Sequence, residues 1–545
     1  MTRKAFTVFI LLAVFAVTVF MSVNTKSPIC DEAGHHIAAG YSYIKTHDFR
    51  ITPSPPLIRL LIGLPITFLN PALPLDHISW KDADSSGFNY QFLFVYNHNA
   101  DRIVLFSRIL MIAVAVMLGL LIFMWSNRLY GYGAGIFALF LYIFSPIVLG
   151  NAGLAMLDLG CAAFIFASLF QLYRYLERRT PADLILTGIV FGLAQATKIT
   201  ALILYPLFII FMALSYLLNK KEKRVSSLLL LKDLIIIWAI GILVLWATYF
   251  FEFKPLLKNE PHVQEKIEFI KKISHSERLV WAAENVPIPL STYINSIFGF
   301  GRQIVLGDQP LFFMGQSMTS GSKIYYFVLC LIRTPLSFLI FLISAIALFK
   351  RCKRAGPLGE LFLLIPMISL FAAVSFSKLQ GGMRYLLPAY PFIFVWASRL
   401  VTLSMGRMAA AAKAVFYILC AWYFLSSAMI YPDYLAYYNE LVGGPDGDAY
   451  KISSDADWGQ DFKALKKYMD SHDIKEIKLL CFGAVDPSYY GIKHADLTKE
   501  EYLKPVEGEC YAVSSRFMPL VKWADLYKPV DIVAHNIRIY RINGR

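Results

Sequence analysis

About eleven apolar runs divide the chain, opening near residues 6, 103, 133, 157, 184, 199, 228, 324, 358, 385 and 412. Runs of about 17–25 apolar residues are what a helix needs to cross a bilayer, so the pattern predicts a mainly α, polytopic membrane bundle of about 11 spans. Residues 184–218 admit two readings: two short helices broken around Thr197-Lys198, or one long kinked helix. The first run, Phe6 to Val23, follows Arg3 and Lys4. Its length, and the lack of a small-x-small cleavage site near Asn24, predict an uncleaved anchor rather than a signal peptide.

Between the runs, lysine and arginine gather in short loops: Arg128, then Arg174, Arg178 and Arg179, then "NKKEKR" (219–224), "KRCKR" (350–354), and Arg407 with Lys413. Counting spans puts all five loops on one side, together with the N-terminal Arg3 and Lys4, and the positive-inside rule makes that side cytoplasmic. The opposite side receives residues 24–102, 252–322, 377–384 and the tail from about residue 432. Two domains are expected: a transmembrane part, 1–431, and an extracytoplasmic α/β domain, 432–545. The tail is polar from Tyr431, with a turn-rich "GGPDGD" at 443–448. "WGQDFKALKKYMDSH" (458–472) has helical spacing, placing Phe462, Leu465, Tyr468 and Met469 on one face. "IKEIKLLCFG", "ECYAVSS" and "DIVAHNIRIYRI" read as strands.

Composition sharpens this picture in three ways. Charged residues are 17% of the 545 and hydrophobic ones 57%, against roughly 25% charged in soluble chains. The net charge of +14 fits cytoplasmic loops facing anionic lipid. No basic and aromatic nucleic-acid motif accompanies it, so membrane lipids are expected partners and nucleic acid is not. The seven cysteines include no CxxC. Cys161, Cys330 and Cys420 fall in apolar runs as small hydrophobes. Cys481 and Cys510 either pair, if the tail is extracytoplasmic, or stay separate in neighbouring strands.

Candidate chemistry begins at "ICDEAGHH" (29–36), directly beyond the first membrane-length run. Asp31 and Glu32 are adjacent carboxylates followed within a turn by His35 and His36. Asp48, Arg50 and Arg59 follow on an amphipathic segment, after Pro53, Pro55 and Pro56 fix extended turns. This loop is suited to lie along the membrane surface and hold polar groups there. Cations occur in the same topological layer: Arg333 inside an apolar run, Lys378 and Arg384 in "SKLQGGMRYLLP", and Lys198 at the break. An intramembrane arginine is expensive and points to function, with a structural ion pair as the plain alternative. Asp158 opens a helix, either as a charge favourable to its dipole or facing the same cavity as Asp31. Such a set suits glycosyl transfer from a polyprenyl-phosphate sugar. A carboxylate takes the acceptor's proton, and cations stabilise the leaving phosphate. Asp31/His35 and Glu32/His36 are each four apart, so a helix would present two carboxylate–imidazole pairs to a divalent cation. The motif is not HExxH, and arginine and lysine alone can neutralise a phosphate, so no metal is required, with a divalent cation as the alternative.

The residues just quoted carry a family resemblance. "CDEAGHHIAAGYSYIKTHDFRITPSPPLIRLLIGLP" resembles the first-loop pattern of bacterial glycosyltransferases related to the protein O-mannosyltransferases, family 39 of the GT-C superfamily. "RLYGYGAGIFALFLYIFSPIVLGNAGLAMLDLG", "GLAQATKITALILYP", "IRTPLSFL", "GGMRYLLPAYPF" and "SSDADWGQDFKALKKYM…FGAVDPSYYGI" follow in the family's order. The resemblance implies that Asp31 is the catalytic base and Glu32 a neighbouring acid. It implies roles for Asp158, Arg333 and Arg384 as the matching helix-opening acid, the basic residue before Thr-Pro, and the arginine before "YLLP". It also implies an inner-membrane enzyme that inverts the anomeric centre of a lipid-monophosphate sugar. Acceptors in the family range over protein hydroxyls, lipids and envelope glycans. Two features depart from the pattern: Pro53-Ser54-Pro55-Pro56-Leu57 stands where relatives often have Glu-His-Pro-Pro-Leu, and two adjacent histidines stand where one is usual.

Two other readings stay open. A transporter or flippase would use Arg333 and the broken 184–218 region to line a path, although no inverted repeat of apolar segments is present. Alternatively the tail binds a saccharide through Asp455, Asp457 and Trp458, or those residues simply cap a helix around a core tryptophan.

Overall fold

The computed structural model describes residues 2–219, 226–257, 263–274, 276–306, 311–403 and 410–542. Residues 220–224 of the basic "NKKEKR" run, and Arg407, lie outside the described residues. Among the described residues seven helices are long and apolar enough to cross a membrane: Arg3–Asn24 (α1), Ala100–Tyr130, Leu157–Arg178, Ile199–Leu218, Ser227–Thr248, Gly356–Ser375 and Ala410–Ala428. An eighth span is counted if Tyr325–Arg333 and Leu336–Ala347, bent by 113° at their break, act as one. The break falls at Thr334-Pro335, where proline excludes the helical conformation from the residue before it. The chain is thus an integral, multi-pass membrane protein.

The apolar runs near 133, 184 and 385 form shorter elements: Tyr132–Ile143, Pro181–Gln195 and Tyr390–Ala397. Eleven runs therefore do not amount to eleven full-length spans. Ser145-Pro146 stops the first of these. Pro388 and Pro391 confine the third to tight turns around a short helix. The ambiguous region 184–218 is two helices, separated by an extended Lys198. Its freed backbone is not wasted, since the Ala196 carbonyl accepts the Leu57 amide at 2.9 Å.

The loops read as cytoplasmic converge through ion pairs at one end of the bundle. Arg128 meets Glu177 at 2.5 Å, Arg174 meets Asp183 and Arg179 meets Asp233, both at 3.4 Å, and buried Arg399 meets Glu360 at 2.5 Å. The other end carries the first loop. There Glu32–His36 forms one π-helical turn leading into Ile37–Thr46 (α2), followed by Leu57–Ile66 (α3). α2 and α3 cross with their backbones touching at Gly40 and Gly63, where a Cβ on either would collide with the other chain segment. Gly63→Ala is therefore expected to push α3 off α2 and cost about 1–3 kcal/mol, read as a lower unfolding midpoint of the solubilised protein. An unchanged midpoint would mean the crossing is not a close contact.

Nine short strands are present among the described residues. Phe253–Pro255 (β1) pairs antiparallel with Pro287–Pro289 (β2), and Leu311–Phe313 (β3) with Gln316–Met318 (β4). The C-terminal residues build a five-stranded mixed sheet from Ile477–Leu480 (β5), His494–Asp496 (β6), Cys510–Ser514 (β7), Asp531–Val533 (β8) and Ile537–Arg541 (β9), in the order β6-β5-β7-β9-β8. β5 pairs parallel with β6 and β7, and β9 antiparallel with β7 and β8. The helix Phe462–Ser471 buries Phe462, Leu465 and Met469. The last predicted strand is a tight hairpin, because Ala534 and His535 both adopt positive φ. Cys481 and Cys510 are free thiols. The β5–β7 register aligns Leu480 with Val513, which leaves the two cysteines about four residues, or roughly 13 Å, out of step.

The segment leading into the helix Phe462–Ser471 is fastened to the start of the chain. Ser27 and Cys30 amides donate to the carbonyls of Gln460 and Trp458 at 3.1 and 2.8 Å. Buried Lys26 bridges Asp433 and Asp461, the latter at 2.8 Å.

Candidate active site

A cavity of about 1670 Å³ opens where these fastened pieces meet. Its walls are the first loop (Asp31 to Arg59), the break at Lys198, the helix Ser291–Leu306, the turn 379–385 and the segment 453–458. Asp31 stands at the start of the π-helical turn, and its carboxylate pairs with the Arg384 guanidinium. Arg384 also donates to the Gly381 carbonyl at 3.1 Å and lies 4.0 Å over the Trp458 ring. The turn that delivers it needs glycine. Gly382 has φ of 77°, and a Cβ there would strike the Asp455 carboxylate, which accepts the Met383 amide at 3.0 Å. Lys198, extended at the helix break, pairs with Asp158 at 2.6 Å and sits 4.3 Å over the Tyr385 ring. His35, His36 and Arg59 line the same space.

The charges tune one another. Burial, the largest single influence, would raise the Asp31 carboxyl, but the Arg384 guanidinium, by charge and hydrogen bond, together with His36 and His35, holds the group well below the ordinary carboxylate range. Arg384 is correspondingly raised, burial being outweighed by Asp31 and then Asp158. Lys198 is raised because Asp158 offsets its burial. Burial lowers His35 and, with Arg59 nearby, His36, so both imidazoles are neutral near pH 7. Burial raises the Asp455 carboxyl against the pull of Arg333.

Several candidates named from the sequence fall elsewhere. Glu32 does not reach the cavity: it is fully buried and faces the other way. Arg108 grips both its oxygens, at 2.9 and 2.6 Å, and the amides of Ala155 and Ile29 add bonds of 2.7 and 3.0 Å. Arg333 lies behind the cavity wall, 3% exposed, donating to the Leu435 carbonyl at 2.8 Å and standing 4.0 Å from Asp455. Lys378 is outside the lining, which begins at its neighbour Leu379. Asp48 is engaged locally by Arg50 at 2.7 Å and stays outside the cavity too. Asp31 and His35 share the cavity, whereas Glu32 and His36 do not point to a common place. Among the described residues no group of three His, Cys, Asp or Glu is gathered as a metal site.

The cavity also contains residues that sequence reasoning passed over: Tyr385, Phe482 and Arg516. Arg108 was legible in principle, as a charge inside the run from residue 103, by the rule that marked Arg333. Arg516 carries no such sign, being one of many polar residues after a strand. Asp455 and Trp458 do line the cavity, but Asp457 does not. It is a buried anchor accepting from the Gly459 amide and the Asn536 side chain, each at 3.1 Å.

Residues 92–247 match the family model described as dolichyl-phosphate-mannose-protein mannosyltransferase. The matched stretch contains Asp158 and Lys198 but neither Asp31 nor Arg384. No curated protein matches the chain by sequence. Among solved structures the chain is similar to ArnT from Cupriavidus metallidurans bound to undecaprenyl phosphate, with a TM-score of 0.48 and 11% identity over 99% of this chain and 98% of that one. It is also similar to the archaeal oligosaccharyltransferase AglB from Archaeoglobus fulgidus in complex with an inhibitory peptide and a dolichol-phosphate, with a TM-score of 0.44 and 15% identity over 80% of this chain and 56% of that one.

Proposed function

We propose that this chain is an inverting GT-C-type glycosyltransferase that moves a sugar from a polyprenyl-phosphate-linked donor to an acceptor hydroxyl. The observation that carries this reading is the meeting of Asp31 with Arg384, and of Lys198 with Asp158, around one cavity in a membrane bundle. The family matched over 92–247 is named for a dolichyl-phosphate-mannose donor, which supports a lipid-monophosphate sugar here. One cavity flank is apolar, with Leu256, Ile297, Phe298 and Val305, as a polyprenyl chain requires. The basic bias of the loops at the opposite end supports an extracytoplasmic site and a cytoplasmic N-terminus; the bacterial inner membrane is the location that the family resemblance implies.

In this mechanism the acceptor oxygen attacks the anomeric carbon while Asp31 takes its proton. The bond from that carbon to the phosphate oxygen breaks, and its electron pair leaves with the polyprenyl phosphate. Arg384 and Lys198 donate to the phosphate oxygens as that charge grows. The donor has a second effect. Its phosphate competes with Asp31 for Arg384, so the carboxylate's pKa rises toward the ordinary range and it becomes a better base when the substrate is in place.

The test is transfer of a radiolabelled sugar from its undecaprenyl phosphate by the purified protein in liposomes, with membrane extract as acceptor. Transfer supports the enzyme; translocation of the donor without transfer would establish the carrier instead. Lys198→Ala is expected to raise the donor KM about tenfold or more. An unchanged donor KM would remove Lys198 from the phosphate site.

A further inference from the structure

Arg516 reaches the cavity from the loop after β7, the only part of the C-terminal sheet besides Phe482 to line it among the described residues. Its guanidinium lies 4.1 Å over the Phe482 ring. Arg384 and Lys198 each have a carboxylate in contact, and Arg333 has one at 4.0 Å. Arg516 has none within ion-pair distance among the described residues, and its side chain has no hydrogen-bond acceptor there. Stacking on an aromatic face supports the cation while leaving its in-plane N–H groups free for a planar or tetrahedral anion.

The position is also fixed relative to the proposed chemistry. The Arg516 amide donates to the Asp457 carboxylate at 3.3 Å. The next residue, Trp458, carries Arg384 on its ring. One dipeptide, Asp457-Trp458, thus holds the backbone beneath one guanidinium and the aromatic face beneath the other.

We propose that Arg516 and Phe482 form a second anion subsite, separate from the donor phosphate at Arg384 and Lys198, for a saccharide that bears a phosphate or carboxylate. Calling this saccharide the acceptor rests on the transferase reading; the subsite itself does not. Phe482 supplies an apolar edge beside the charge, the surface a sugar ring packs against. The acceptor is then recognised by the C-terminal sheet, and the donor by the bundle.

The full-length protein in detergent, saturated with undecaprenyl phosphate, is titrated calorimetrically with N-acetylglucosamine 1-phosphate, glucuronate and neutral N-acetylglucosamine. At least one charged sugar is expected to bind about tenfold more tightly than the neutral one; which one does so tells phosphate from carboxylate. Arg516→Gln abolishes that preference, Arg516→Lys restores part of it, and undecaprenyl phosphate binding is unchanged in both. Equal binding of all three sugars by the wild type, or an undiminished preference in Arg516→Gln, overturns the proposal. If the wild type fails to bind undecaprenyl phosphate, the donor reading fails by itself, and the same sugar titration on the unloaded protein still decides the role of Arg516.

Discussion

Asp31→Asn abolishes sugar transfer, by about 10²- to 10⁴-fold in kcat, while the protein still inserts, folds and binds the lipid phosphate. The amide keeps the shape of the carboxylate and can still accept a bond from Arg384, but it cannot take a proton. Loss of the negative charge also frees Arg384, so donor affinity holds or rises. A fully active Asp31→Asn protein would end the assignment of Asp31 as the base. The pH profile adds a second readout. In the free protein Arg384 holds the Asp31 carboxyl below its ordinary range, against burial that raises it. The acid limb of kcat/KM therefore lies below the usual carboxylate value of about 3.9. Bound donor draws Arg384 away, so the acid limb of kcat, which reports the complex, lies higher. The linkage sign is that of a depressed carboxylate. The stability it contributes is present above the unfolded pKa and is lost as pH falls through the lower folded one.

Glu32→Gln acts in the opposite way, on stability more than on rate. It leaves Arg108 buried at 2% exposure with its charge uncompensated, a loss of about 3–5 kcal/mol. The expected result is poor yield and a markedly lower unfolding midpoint, with residual transfer in whatever protein remains folded. A normally stable Glu32→Gln protein with no transfer would reverse the assignment and return Glu32 to the chemistry. The neighbours thus separate cleanly: Asp31 faces the cavity, and Glu32 ties the first loop to the helix Ala100–Tyr130 and to Ala155, just before the helix Leu157–Arg178.

Apolar periodicity was enough to read a membrane bundle, its basic end and the polar first loop, because each depends on local composition. It overcounted full-length spans where Ser145-Pro146, Lys198 and Pro388 interrupt apolar runs without making them polar. The same limit governs the site. Asp31, Lys198 and Arg384 were legible as charges in the right layer. Whether a charge faces the cavity depends on partners far along the chain. Glu32 and Arg333 look equally functional until Arg108 is found 76 residues from one and the Leu435 carbonyl 102 residues from the other. Lys378 and Arg384 share one loop, yet only Arg384 reaches the cavity. Asp48 is satisfied two residues away by Arg50, which a local reading can anticipate.

Lys26 belongs to the first loop to be made, yet its two carboxylate partners lie 407 and 435 residues later. A nascent chain carries that ammonium without these counterions until Asp433 and Asp461 have been made. Premature termination anywhere before Asp461 leaves the ammonium short of a partner, and before Trp458 it also leaves the Asp31–Arg384 pair without its aromatic backing. Products that stop short of Asp461 thus lack the ion pairs that hold the first loop in place.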